Sequence, residues 1–173
     1  RIRTTVAILC AAVGVWAAVS AMAADTGALT LRDQYGQVGG LASDAEGLQV
    51  AIVVSAKRLR RIKPWEQAIR TIESDVPLIR VADVPRTSPA EYQSVADKLK
   101  KRLPEDLDVL IDLDGVWMQT FDLDTNVPNV LIFDGAGTLL ARHAGMYRND
   151  QFDALAADLK GAVAQDAPSA QSP

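Results

Sequence analysis

Residues 49–63 read QVAIVVSAKRLRRIK, an apolar run that passes directly into a basic stretch. The first seven residues are largely β-branched and apolar, which is typical of a central strand buried on both faces. A helix is predicted from about residue 59 to residue 74. The apolar residues that would form its buried face recur at helical spacing and are Ile62, Trp65, Ile69 and Ile72. The stretch therefore predicts a strand followed by a helix.

The same alternation of strand and helix continues toward the carboxyl end. Residues 77–84 form a second predicted strand, and Ser88 with Pro89 begins a helix that ends before Pro104. The remaining predicted elements are a strand at 109–112, a short helix or turn at 116–121, two strands at 127–133 and 138–143, and a last helix that begins at Asn149. The last two strands flank an Asp-Gly turn, so we expect an antiparallel hairpin. This order predicts an α/β domain with a central mixed sheet and helices on both faces.

The composition limits the classes of function. The chain has 173 residues and a formal net charge of −4, an acidic balance that argues against nucleic acid as a partner. The only histidine is His143, so neither a histidine-based triad nor a histidine–cysteine zinc site can be assembled. The aspartates between residues 106 and 124 lack the spacing of a calcium loop. We therefore expect no metal and no cofactor.

The amino-terminal residues have the pattern of a targeting segment. A short basic start precedes an apolar run, and residues 21–23 supply the small residues of a cleavage site. We expect residues 1–23 to be a signal peptide, or an uncleaved membrane anchor, because about 20 apolar residues suffice to span a bilayer. Residues 24–164 would then form a domain that is periplasmic or secreted. Residues 165–173 have the composition of a disordered tail.

Three stretches of the chain carry a resemblance to a known family. They are residues 29–36, the strand 52–55 running into its helix, and residues 126–145 with an Asn-Val-Pro segment, an Asp-Gly hairpin and a closing glycine. In this order and spacing they resemble the thioredoxin-like fold of the redoxin group, which includes membrane-tethered thiol reductases and peroxiredoxins. The resemblance covers residues 29–164 and implies a three-layer sandwich, so that residues 24–164 are expected to be a thioredoxin-like domain.

The resemblance places arginines where the family carries its cysteines. On the family's pattern, Lys57 stands at the tryptophan, Arg58 at the nucleophilic cysteine and Arg61 at the resolving cysteine. The family's chemistry needs a thiolate and then a second thiol, whereas the only cysteine of this chain is Cys10 in the apolar leader. The resemblance therefore implies a domain without oxidoreductase or peroxidase activity. We expect a binding or accessory protein and not an enzyme.

The basic stretch is the first candidate binding site. Lys57, Arg58, Arg60, Arg61 and Lys63 bring five cations to the predicted start of a helix in an acidic protein. Cations are unfavourable at that end, which instead offers free N–H groups to an anion. The pattern favours a carboxylate, a phosphate-bearing ligand or anionic lipid head groups as the ligand. The alternative is a solvated basic turn that pairs with neighbouring carboxylates and binds nothing.

The second candidate site is Val127 with Pro128. The resemblance implies a cis-proline at Pro128, preceded by a residue whose backbone is presented to an extended peptide. The alternative is that Pro128 only shapes the fold. The partner expected at these sites is another exported or membrane protein, or an anionic ligand. If the leader is retained, membrane association through it is also expected.

Two other functions stay open from the sequence. The domain is also compatible with an accessory factor in periplasmic thiol-redox or metallocofactor assembly, a role that the resemblance implies through the clients of its active relatives. An enzyme of another class that reuses the fold is the remaining alternative. For that alternative the sequence offers no nucleophile and no convincing acid–base pair.

Overall fold

The computed structural model describes residues 29–84 and 91–166, with side chains described to residue 164. In chain order the elements are β1 (Leu31–Asp33), β2 (Val38–Gly39), β3 (Gln49–Ser55), α1 (Lys63–Ile72), β4 (Leu78–Asp83), α2 (Tyr92–Lys100), β5 (Leu110–Asp112), α3 (Val116–Thr120), β6 (Asn129–Phe133), β7 (Leu139–Ala144) and α4 (Phe152–Asp166). A 3₁₀ turn, Ala56–Arg61, connects β3 to α1 and is called the basic turn below. The predicted leader, the Ser88 and Pro89 helix start and residues 167–173 of the predicted tail lie outside the described residues. The first two residues of that tail, 165 and 166, belong to α4.

The seven strands form one mixed sheet in the order β2-β1-β5-β4-β3-β6-β7. β3 lies between β4, to which it is parallel, and β6, to which it is antiparallel. All seven residues of β3 are buried, as expected for an apolar strand with neighbours on both sides. β6 and β7 form the predicted antiparallel hairpin. The mixed sheet and the bounds of the central strand are therefore confirmed.

An apolar layer covers each face of the sheet. Val50, Ile52 and Val54 of β3 face the layer formed with α1, α2 and α4. Ala51 and Val53 face the opposite layer, to which α3 contributes. Successive strand residues point to opposite faces, so one apolar strand supplies both layers. The result is the predicted three-layer α/β arrangement.

The helix α1 begins at Lys63 and not near residue 59 as the apolar spacing predicts. Pro64 explains the difference, because a proline is tolerated in the first turn of an α-helix but not in its interior. Residues 56–61 instead adopt the tighter 3₁₀ geometry. The basic cluster consequently lies in a turn before the helix, and only Lys63 belongs to α1.

Two other helix starts differ from the prediction. Glu91 is extended, so α2 begins at Tyr92, whose hydroxyl donates a hydrogen bond to the carbonyl oxygen of Asp33. A short 3₁₀ turn, Asn149–Gln151, precedes α4. The N-cap of this turn is Arg148, and not Asn149 as predicted. Within the described ranges, no helix is both long enough and apolar enough to cross a membrane.

Candidate anion-binding site

The basic turn lies where the parallel strands β3, β4 and β5 reach their carboxyl ends. The N–H of Ser55 at the end of β3 donates to the carbonyl oxygen of Thr125 at 2.8 Å. The Thr125 hydroxyl donates in turn to Oδ2 of Asp83, at the end of β4, at 2.7 Å. These contacts bring the loop before β6 against the basic turn. In open α/β sheets, this edge is the usual place for a ligand.

Arg58 and Arg61 share one hydrogen-bond acceptor. The Nη1 atom of each donates to the carbonyl oxygen of Asn126, at 3.0 Å and 3.2 Å. Residues three apart are eclipsed in a 3₁₀ turn, which is why both guanidinium groups reach the same atom. Asp124 holds Asn126 from the other side, because its Oδ1 accepts the N–H and the Nδ2 of Asn126 at 3.0 Å and 2.9 Å. The two arginines therefore fasten the loop that precedes Pro128.

The prediction of a cis-proline at Pro128 is wrong, because the peptide bond between Val127 and Pro128 is trans. The trans form is the intrinsic preference of such bonds by about 0.5–1 kcal/mol, and contacts within the loop accommodate it. The N–H of Val127 donates to the carbonyl oxygen of Asp124 at 3.3 Å. The carbonyl oxygen of Val127 accepts from Nδ2 of Asn129 at 2.9 Å. The carbonyl oxygen of Pro128 accepts from the N–H of Gly145 at 2.9 Å. A peptide docking at Val127 would have to displace the hydrogen bond of its N–H, whereas its carbonyl oxygen can accept a second one.

A cleft of about 530 Å³ opens beside the basic turn and is called the basic cleft below. It is lined by the whole basic turn, 56–61, and by Leu99, Arg102 and Leu103 at the end of α2. Five of the lining residues are cationic, and none is acidic. The structure thus brings together four of the predicted site residues, and it leaves Lys63, Val127 and Pro128 outside the lining.

The cations of the basic cleft have no carboxylate partners among residues 29–84 and 91–164. Glu66 is the nearest acidic residue in sequence, and it pairs with Arg80 on β4 instead. Lys57 and Arg60 are exposed, whereas Arg58 and Arg61 are half-buried. Like charges held close together repel each other, and a bound anion would relieve that repulsion. Within these ranges, the alternative of a turn neutralised by nearby carboxylates is not observed.

Two participants in this site are not predictable from the sequence pattern. Arg102 follows α2, where a basic residue is favoured by the helix dipole, and that role conceals its contribution to the cleft. Only the packing of α2 brings Arg102 beside the basic turn. Asn126 contributes a main-chain carbonyl oxygen, which has no signal in side-chain chemistry.

Asp112, at the end of β5, binds backbone amides and not a ligand. Asp112 is fully buried, and its two oxygens accept the N–H groups of Val116 and Trp117 at 3.0 Å and 2.9 Å. His143 on β7 lies 2.9 Å from a carboxylate oxygen of Asp158 on α4. In the part of the chain that the structure describes, no three side chains of His, Cys, Asp or Glu come together as ligands for a metal ion.

Comparison with known proteins identifies the fold and nothing more specific. No protein family and no curated protein matches the sequence. The exposed lipoprotein thioredoxin Etrx1 of Streptococcus pneumoniae has a similar structure, with a TM-score of 0.59 and 17% identity over 76% of this chain and 97% of that one. A putative thiol:disulfide interchange protein, DsbE, of Chlorobium tepidum has a TM-score of 0.54 and 18% identity, over 78% of this chain and 92% of that one.

A third similar structure is BsSco, a member of the Sco family of cytochrome c oxidase assembly proteins. Its TM-score is 0.52, with 12% identity over 78% of this chain and 91% of that one. These three likenesses confirm a thioredoxin-like fold. In contrast to an active thiol oxidoreductase, this chain has no cysteine anywhere between residues 29 and 166.

Proposed function

Taking the thioredoxin-like fold as the premise, we propose that this chain is an exported, non-catalytic binding protein that holds an anionic ligand in the basic cleft. The observation that carries the proposal is the lining of that cleft. Five cations surround a space of about 530 Å³, and none has a carboxylate partner among the described residues. Neighbouring positive charges with little acidic compensation create a local potential that attracts anions.

The residues at the turn after β3 support a function without thiol chemistry. A guanidinium group is neither a nucleophile nor a redox couple, so Arg58 and Arg61 cannot replace a pair of cysteines in disulfide exchange. Both instead donate hydrogen bonds to Asn126. Purified protein should therefore show no turnover in disulfide-reduction and peroxide-consumption assays, and appreciable turnover in either would overturn this part of the proposal.

An anion is a better candidate ligand for this edge than an extended peptide. The backbone N–H of Val127 already has a partner within the loop, so strand addition there gains no free donor. Its carbonyl oxygen already accepts from Asn129 and has one acceptor site left. The basic cleft, in contrast, offers charged donors from Lys57, Arg60 and Arg102 at no such cost. Peptide docking at Val127 and Pro128 stays a prediction from the sequence that these contacts disfavour.

The exported location is part of the proposal and rests on the leader pattern of residues 1–23. One similar structure is named an exposed lipoprotein, which is in keeping with that location. An accessory role in thiol-redox or metallocofactor assembly is compatible with anion binding. It stays a prediction that comes from the family resemblance.

The experiment that tests the anion site is a titration of the purified chain with inorganic phosphate at low ionic strength, followed by calorimetry or by NMR chemical shifts. Arg60→Gln and Arg102→Gln are the informative variants, because both arginines are exposed and neither holds Asn126. Charged hydrogen bonds contribute about 1.5–3 kcal/mol, and solvent screening reduces that value here. We expect each variant to weaken phosphate binding by about 3- to 10-fold.

Lys63→Gln is the matched control for this titration. Lys63 belongs to the same basic stretch, but it opens α1 and does not line the cleft. Its substitution should change the phosphate affinity by less than about twofold, because an exposed charge outside the cleft is screened. Equal effects of Lys63→Gln, Arg60→Gln and Arg102→Gln would show that phosphate responds only to net charge and would refute a localised site.

A further inference from the structure

The basic cleft has an apolar side as well as a cationic one. Four of its lining residues are apolar, and they are Ala56, Leu59, Leu99 and Leu103. A bare, hydrated anion gains nothing from contact with leucine side chains, whereas an apolar group that leaves water there is stabilised. The cleft volume of about 530 Å³ lies in the range of small-molecule sites. A single inorganic anion would fill only part of it.

We propose that the ligand of the basic cleft is an organic anion that carries an apolar group, such as an aryl or alkyl phosphate or carboxylate. This inference rests on the anion site proposed above and specifies its ligand class. The cations of the basic turn and Arg102 bind the anionic head. Leu103, with the accessible edges of Leu59 and Leu99, contacts the apolar part.

The wall that carries Arg102 and Leu103 is held in place by the end of α2. Both residues donate their backbone N–H groups to the carbonyl oxygen of Leu99, each at 2.9 Å. Leu99 is buried in the core, with 4% of its surface exposed, so this turn is anchored to the rest of the domain. A charged and an apolar side chain are thus held next to each other, which is the arrangement that an amphiphilic anion requires.

The experiment compares phenyl phosphate with inorganic phosphate as ligands of the unsubstituted chain. Removing about 60–100 Å² of apolar ligand surface from water is expected to tighten binding on the order of tenfold. Equal affinities within about twofold would overturn the inference and leave the anion site standing. If neither compound binds, the anion site itself is refuted, so the two failures are distinguishable.

Leu103→Ser supplies a second readout. Leu103 is only half-buried, so its truncation is better tolerated than truncation of Leu59 or Leu99 in the core. We expect it to abolish most of the preference for phenyl phosphate and to leave the affinity for inorganic phosphate unchanged. Leu107→Ser is the control, since Leu107 is half-buried in the same loop and does not line the cleft. A preference for phenyl phosphate that survives in Leu103→Ser would contradict the proposed apolar contact.

The same ligand chemistry has two sources, a soluble compound and a membrane lipid. Co-sedimentation with vesicles of phosphatidylglycerol distinguishes them. Vesicle binding that falls in Arg102→Gln and in Leu103→Ser, relative to the Leu107→Ser control, would assign the anion to a lipid. Vesicle binding that is the same in all variants, together with a preference for phenyl phosphate, would assign it to a soluble compound.

Discussion

Two cysteines placed at positions 58 and 61 should form a disulfide. The family resemblance assigns these positions to the redox pair, and both native side chains reach the same atom, the carbonyl oxygen of Asn126. A 3₁₀ turn rises about 2 Å per residue, so the Cα atoms of residues three apart and eclipsed are separated by about 6 Å. That Cα separation lies within the range of about 4.4–6.8 Å found in disulfides, and closing the bond also requires the two Cβ atoms to approach from about 6 Å to about 4 Å. The variant is Arg58→Cys with Arg61→Cys, made with Cys10→Ala to prevent mispairing.

The stabilisation from this disulfide follows from the size of the loop that it closes. A loop of four residues gives about 2 kcal/mol on the chain-entropy scale. For a domain of this size we expect the oxidised variant to melt about 5–10 °C above its reduced form. The loss of the two arginine hydrogen bonds cancels in that comparison, because both forms of the variant lack them.

The assay has two parts, a thiol count by mass spectrometry after exposure to oxidised glutathione and thermal denaturation with and without reductant. Arg58→Cys with Arg60→Cys is the control, because residues two apart point in different directions in a 3₁₀ turn. If the 58 and 61 pair keeps two free thiols, or the 58 and 60 pair closes as readily, the geometry of the basic turn is wrong. The same result would refute the assignment of positions 58 and 61 to the family's two cysteines.

Three further predictions concern groups away from the cleft. Gln34 is 1% exposed and forms hydrogen bonds with two backbone groups of the segment before β5. Gln34→Leu should therefore lower the free energy of unfolding, measured in urea, by about 2–4 kcal/mol. Gln37→Leu, at an exposed site, should change it by less than about 0.5 kcal/mol. Asp112→Ala removes the acceptor of the first two amides of α3, and these amides should exchange with deuterium faster than those of α1. The hydrogen bond from Arg148 lowers the pKa of Asp150. The contribution of this hydrogen bond to stability is therefore present above the unfolded-state pKa of Asp150 and is lost as the pH falls through its folded-state pKa. In Arg148→Gln, an NMR titration should find the pKa of Asp150 closer to its ordinary value.

Local patterns in the sequence were sufficient for the elements of the sheet. The β-branched run 49–55 forms a buried strand with the bounds expected, because a strand with neighbours on both sides has no polar face to accommodate. The hairpin of β6 and β7 is also as expected, since Asp134 accepts the N–H of Thr138 in the turn at 2.7 Å. In both cases, residues close together in sequence determine the structure.

Predictions that depended on competition or on distant contacts were less reliable. The apolar stripe from Ile62 to Ile72 indicates a helix but not its first residue, and the proline at position 64 restricts where that helix begins. The trans bond before Pro128 differs from the cis bond that the resemblance implies, in a loop held by the Asn129 side chain and two arginines. Four of the five cations of the cleft could be predicted from the basic stretch, whereas Arg102 reaches the basic turn only through the packing of α2.

The pairing of Arg58 and Arg61 with the carbonyl oxygen of Asn126 also bears on the surroundings that the domain tolerates. In an active thioredoxin-like protein, the two cysteines at the corresponding positions form a disulfide in oxidising surroundings and lose it in reducing ones. Here the same region is joined by hydrogen bonds from groups that neither gain nor lose electrons. Whatever occupies the basic cleft would therefore meet the same binding surface in oxidising and in reducing surroundings, so that ligand occupancy is insulated from the redox state of the compartment.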